Sequence, residues 1–265
     1  VIKLVTLNIL NDLSQWPQRR SILAAQMAEL QPDVIALQEV ALIDNTARWL
    51  ADQLGGYHVS VCPRTGDKHD REGIAVLSRR PIKREATLDL QTQNRVAQQI
   101  EIELNLRSLI VANTHLFWWP GESTERNAQA RSIGRWLNDV SAHQALAVCG
   151  DFNATPNSTA IRIMCERFAS AYAARHGAEP EYTCPTPLAV GPIQTPRDAV
   201  RSVRRLAIRI AGNRSLKPWR GTLDYIFVNQ HVRVLDCQIV LNRPSPHNPK
   251  IYPSDHFGLM ATLEL

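Results

Sequence analysis

Eight side chains able to bind metal or handle protons stand at or beside the ends of apolar runs. They are Asn8 after LVTL, Glu39 after VIALQ, His115 after LIVANT, Asp151 and Asn153 after LAVCG, Asp224 ahead of YIFV, and Asp255 and His256 ahead of FGL. A carboxylate taken out of water without a partner is costly, so Glu39 and Asp224 call for more than turn chemistry. Singly, the others have plainer readings: Asn8 and the Gly-Asp-Phe-Asn run as turn residues, His115 as a hydrogen-bonded interior histidine. Strand ends that share this habit point instead to one pocket, because ligand sites of open α/β sheets lie beyond strand ends. Asp, Glu and Asn offer the hard oxygen ligands that select Mg2+ or Mn2+ over zinc. With two histidines added, the set suits phosphoryl transfer, which needs a metal to take charge, donors for phosphate oxygens and a base for water.

Adjacency within Ser254-Asp255-His256 divides labour further. Neighbours along a strand point to opposite sides, so Asp255 is badly placed to orient His256 and could instead reach a metal. Asp224 is then the candidate to hold the imidazole tautomer.

The elements that must position these residues alternate between strand and helix. IKLVTLN, DVIALQEV, GIAVLS, RVAQQIEIEL, SLIVANTHL, ALAVCGD, TLDYIFV, VRVLDCQIV and the last segment from Phe257 carry strand patterns. QQIEIEL alternates cleanly, which predicts antiparallel pairing near a surface. PQRRSILAAQMAEL, TARWLADQLGG, STERNAQARSIGRWLNDV and STAIRIMCERF carry helical spacing, the last capped by Asn157 or Ser158. Buried strands run through both halves, so one layered α/β domain over 1–265 is expected, with a basic insertion at about 197–220.

The 265 residues are 44% hydrophobic, with no apolar run of membrane-spanning length. No secretory leader is visible at the start as given. The five cysteines are scattered without a C-x-x-C, which argues against a disulfide framework or a zinc site and for a reducing, cytoplasmic compartment. The net charge of +5 belongs to one stretch, since 197–220 holds eight basic residues against Asp198 alone. An anionic partner is the inference.

VTLNI, ALQEV, NTHL, GDFNATPNS, TLDYIFV and PSDHFGL, in this order, resemble the endonuclease/exonuclease/phosphatase family, which has the DNase I-like fold. The resemblance spans Asn8 to His256. It implies a four-layer α/β sandwich, two mostly antiparallel sheets face to face with helices outside, and divalent-metal-dependent hydrolysis of phosphoesters. Carried over by motif, Glu39 is the main Mg2+ (or Mn2+) ligand, assisted by Asn8 and Asp255. Asp151 orients or deprotonates water, Asn153 holds the nucleophile or phosphate, His256 backed by Asp224 acts on the scissile phosphate, and His115 binds a phosphate oxygen. Exonuclease III-like members usually have tyrosine in the region of His115. The NTHL form looks more like branches that contain DNase I, sphingomyelinases, deadenylases and tyrosyl-DNA phosphodiesterases. The Glu125-Arg126-x-x-Gln129 spacing leans towards the last two.

Arg197, Arg201, Arg205 and Arg209 recur every four residues, opposite Val200, Val203, Ala207 and Ile210. As a helix, Arg201, Arg205 and Arg209 would form a stripe that tracks a phosphate backbone, lies on an anionic membrane, or is simply solvated. Trp118 and Trp119, in the turn after His115, would stack on bases, dip into lipid or fill a core. Nucleic acid or a nucleotide-like ester is the favoured substrate. A sphingomyelinase-like headgroup phosphodiesterase with peripheral membrane contact comes second, and no obligate protein partner is evident. A purely binding protein of this fold would be expected to have lost Glu39, Asp151, Asp224 or His256, and all four are present.

Overall fold

The computed structural model describes residues 1–104, 107–188 and 219–265. Its strands are β1 (Ile2–Asn8), β2 (Val34–Ala41), β3 (His58–Pro63), β4 (Glu72–Ser78), β5 (Ile82–Asp89), β6 (Val96–Leu104), β7 (Arg107–His115), β8 (Ala145–Asp151), β9 (Ala169–Ser170), β10 (Asp224–Val228), β11 (Arg233–Val240) and β12 (Gly258–Glu264). Its α-helices are α1 (Trp16–Leu30), α2 (Thr46–Leu54), α3 (Thr124–Trp136), α4 (Asn138–His143), α5 (Thr159–Cys165) and α6 (Ala171–His176).

Two six-stranded sheets result, ordered β11-β12-β1-β2-β4-β3 and β5-β6-β7-β8-β10-β9. Each holds one parallel pair, β1 with β2 and β7 with β8, among antiparallel neighbours. Inward-facing Leu4, Ala36 and Leu259 of the first sheet pack with Val111, Ala147 and Ile226 of the second in one buried cluster. The outer face of the first sheet packs on Leu23 and Met27 of α1 and Leu50 of α2. The outer face of the second packs on Ile133 of α3 and Ile161 of α5. Helix, sheet, sheet, helix is the four-layer arrangement expected.

Most strands and helices lie where their patterns put them, with Ser158 as the cap of α5 through a bond from Ile161 N. The helix expected over STERNAQARSIGRWLNDV breaks at Leu137 into α3 and α4. β3 and β5 carry no sequence signal strong enough to be expected. β5 is an edge strand, exposed along most of IKREATLD, with only Ile82 and Leu88 half-buried against the core. Arg201, Arg205 and Arg209, with most of the basic stretch, lie outside the described residues.

The parallel pairs matter for the site. They bring the ends of β1 and β2, and of β7 and β8, to the same edge of each sheet, which gathers Asn8, Glu39, His115 and Asp151. Gly150 makes the last of these possible. Its φ is +138°, and a Cβ there would lie 2.0 Å from Thr114 O, so only glycine lets β8 run this close to β7.

Candidate active site

Glu39 owes its position to a break in β2. The pairing with β4 shifts register between Leu37 and Val40, and Glu39 takes a left-handed φ of 56°. A bulge of this kind re-aims a side chain at the end of a ladder. Glu39 Oε2 accepts from Asn11 N at 3.0 Å and Oε1 from Asn8 Nδ2 at 3.3 Å. Burial, then the carboxylates of Glu72 and Asp255, raise its pKa. Carboxylates crowded in this way are relieved by a cation, and with the amide oxygen of Asn8 they make an all-oxygen donor set of the kind magnesium prefers. Glu39, Asn8 and Asp255 therefore fit a divalent metal.

Two loops bring those ligands together, and Arg19 of α1 ties them. It is fully buried, and its guanidinium donates to Ile9 O, Leu10 O and Asp12 O after β1 and to Pro253 O ahead of Asp255, at 2.8–3.0 Å. Ser254 Oγ adds a 2.6 Å bond to Asn8 O. Sequence reading placed Arg19 only within the helical segment PQRRSILAAQMAEL.

The proton-handling groups converge on one atom. Asp151 Oδ2 accepts from Asn8 Nδ2 at 3.0 Å and lies 3.4 Å from His115 Nε2 and 3.9 Å from His256 Nε2. The other oxygen, Oδ1, accepts from Asn153 N at 2.8 Å, and Asn153 Nδ2 is held by Leu116 O. His256 Nδ1 bonds Asp224 Oδ2 at 2.9 Å, the partnership expected in preference to Asp255. Thr183 Oγ1 donates to the same oxygen at 2.6 Å. Asp151, Asp224 and His256 offer ligand-type atoms within 4.8 Å of one another. Because His256 Nδ1 and Asp224 Oδ2 already satisfy each other, the trio suits proton handling better than metal binding.

Burial pushes Asp151 up to about 7, a range suited to a base working near neutrality. Burial also opposes charge on His256, but Cys184, Asp224 and Asp151 outweigh it and raise its pKa well above the usual value. The Cys184 thiol is itself pushed up to about 11 by burial and is neutral near pH 7, so the two carboxylates are the charges that act there. His115 goes the other way: burial, then Arg95 and Arg64, lower it well below the usual value. Arg95 Nη1 donates to its Nδ1 at 2.8 Å, which leaves the proton of the neutral ring on Nε2, facing Asp151.

These groups line a cavity of about 1230 Å³. Trp118 belongs to its wall, while Trp119 stands 58% exposed and tilted against Trp118 at 5.2 Å between ring centroids. The Glu-Arg-x-x-Gln signal has a physical meaning here. Arg126 donates to the carbonyls of Phe117, Trp119 and Gly121, and Gln129 Oε1 accepts from Phe117 N, so α3 holds the tryptophan turn in shape. Arg64, Lys68 and Arg95 also line the cavity, and sequence reading had singled out none of them.

The chain belongs to the endonuclease/exonuclease/phosphatase family, whose model matches residues 5–256, and its fold is DNase I-like. Members of this family hydrolyse phosphoesters. Among curated relatives it is similar to Nocturnin of Mus musculus, 26% identical over 93% of this chain. The chain spans 58% of the length of that relative. The human Nocturnin catalytic domain with bound sulfate superposes with a TM-score of 0.74, at 25% identity, covering 99% of this chain and 93% of that one. D. rerio TDP2 complexed with a single-strand DNA product shares the fold with a TM-score of 0.76 at 15% identity, over 100% and 99% of the two chains.

Proposed function

We propose that the protein is a magnesium-dependent phosphodiesterase acting on nucleic acid or a nucleotide-like ester. The observation that carries this reading is the convergence of His115 Nε2, His256 Nε2 and Asn8 Nδ2 on Asp151 Oδ2, beside the Glu39–Asp255 carboxylate pair. Glu39, Asn8 and Asp255 would hold the metal, which would supply positive charge to offset that of the phosphate. Asp151 takes the proton of the attacking water, and its raised pKa makes it a stronger base than an ordinary carboxylate. The N–H groups of neutral His115 and charged His256 donate to phosphate oxygens as charge builds there. Asp224 keeps His256 charged and turned the right way. Asn153, with its backbone folded to a φ of 49°, steadies Asp151.

Nucleic acid is favoured over a lipid headgroup by the wall of the cavity. Trp118 brings an aromatic side chain, and Arg64, Lys68 and Arg95 bring cations, to the cavity that His115 lines. The solved neighbour with a single-strand DNA product is a precedent for such a ligand in this fold. The test is a Mg2+-dependent screen over single-stranded DNA, RNA, sphingomyelin and phosphotyrosyl-type esters, with His256→Ala as control. Turnover of a nucleotide ester that the control lacks supports the reading. Turnover of sphingomyelin alone, or of nothing, rejects it.

A further inference from the structure

We propose that Arg64, Arg95 and Lys68 form a second phosphate site, which holds a phosphate of the substrate other than the one cleaved. The proposal rests on the reading of the cavity as a nucleotide phosphodiesterase site and adds what its substrate must carry.

Arg64 follows β3, Glu72 opens β4 and Arg95 precedes β6, so three separate strands deliver the cluster. Both arginines are buried, at 6% and 4% exposure. They share a single carboxylate oxygen: Glu72 Oε1 lies 2.8 Å from Arg64 Nη1 and 3.4 Å from Arg95 Nη1. Arg64 Nη2 donates to Gln93 O, and Arg95 Nη1 also serves His115 Nδ1. The Nε of each arginine is buried without a partner, and Arg95 Nη2 has none among the described residues. A structural ion pair would match cation to anion. Here two buried guanidiniums face one carboxylate, and exposed Lys68 adds another positive charge at the same cavity.

Among the described residues Glu72 is the one carboxylate in contact with the two guanidiniums, which repel each other, and an anion taken up at the cavity would relieve that repulsion. Burial, then the neighbouring Arg64, lowers Arg95 to about 10, which still leaves it charged at neutral pH. The guanidinium fork matches phosphate oxygens in pairs, which favours phosphate over a simple halide. The carboxylates of Glu39 and Asp151 also act on Arg95 through the cavity, while its hydrogen bonds go to Glu72 and to His115, whose Nε2 lies 3.4 Å from Asp151 Oδ2. A substrate whose scissile phosphate sits over Asp151 therefore places its next anionic group at the arginines. Trp118, whose backbone N–H donates to Gln93 Oε1 at 3.3 Å, lines the same cavity and is the aromatic side chain that would stack on the intervening base.

The second phosphate comes either from the next link of a polynucleotide or from a mononucleotide that bears two phosphates. Calorimetric titration of the His256→Ala protein in Mg2+ separates these sources without depending on turnover. The probes are thymidine 5′-monophosphate, thymidine 3′,5′-bisphosphate and the trinucleotide d(TpTpT). Tighter binding of either two-phosphate probe than of the monophosphate, by about ten- to a hundredfold, is expected, and the probe that shows it names the source. Adding Arg64→Gln or Lys68→Gln should reduce that ratio, and Arg64→Lys should restore part of it. Because Lys68 is exposed, its replacement does not endanger the fold. Equal affinities for all three probes, or a ratio that neither substitution changes, would overturn the proposal. Failure of the ester screen with the ratio intact would sink the catalytic reading alone.

Discussion

Gln38 of β2 and Asn113 of β7 meet across the gap between the two sheets, Gln38 Nε2 donating to Asn113 Oδ1 at 2.8 Å. Asn113 Nδ2 donates in turn to Leu37 O at 2.9 Å and Ala75 O at 3.0 Å, beside the register shift that turns Glu39 into the cavity. A buried amide thus supports the strand distortion on which the metal side depends. Replacing Asn113 by Leu leaves those groups buried and unpaired, at about 1–3 kcal/mol each. Urea unfolding should show a loss of at least about 2 kcal/mol, with a higher Mg2+ requirement for turnover. Unchanged stability and Mg2+ dependence would mean that the bulge holds itself.

Asp224→Asn should lower kcat by about 10²- to 10⁴-fold, because His256 loses the charge that keeps it protonated. In the parent protein, kcat/KM rises with pH as Asp151 ionises, and metal binding moves that limb below the value of about 7. It falls again only when His256 deprotonates, well above its usual range. In the variant the alkaline limb moves to lower pH. The sign for stability follows: a raised histidine pKa stabilises the fold fully below about pH 6.5 and is lost as pH rises through the folded value. The variant is therefore destabilised most in acid, and an alkaline limb that stays in place would remove Asp224 from this role.

Arg19→Lys tests the tie between the two metal-side loops. One ammonium cannot reach the four carbonyls that the guanidinium spans. Mg2+ affinity, titrated calorimetrically, should weaken by about ten- to a hundredfold while circular dichroism still reports the fold. Stability lost with Mg2+ affinity intact would make Arg19 a packing residue only.

Arg201, Arg205 and Arg209 offer a separate test of nucleic-acid binding. Replacing all three with Gln should reduce the slope of log affinity against log salt by about 2 for single strands. A slope that does not change would show that these arginines do not track the backbone.

What the sequence disclosed depended on locality. Glu39, Asp151 and the Asp255-His256 pair were legible because each sits in a short motif at a strand end, and Asp224 was chosen for His256 by the simple rule that strand neighbours face apart. Arg19, Arg64 and Arg95 were not, because their partners lie in other elements: Arg19 reaches Pro253, and Arg95 reaches Glu72 and His115. A lone arginine carries no periodic signal. β5 was missed for the same kind of reason, since a polar edge strand is defined by its pairing with β6 and not by its own pattern.

The Mg2+ dependence of phosphodiester turnover, measured for the parent protein and for Glu39→Gln, bears most directly on the metal-centred account. Glu39 lies among Asn8, Asn11, Glu72 and Asp255, and removing its charge should take with it the reason for a cation to settle there. Turnover of the parent that rises with Mg2+ and stops on chelation, with none detectable for Glu39→Gln at any Mg2+ concentration, is the predicted result. Full Mg2+-dependent activity in Glu39→Gln would contradict it.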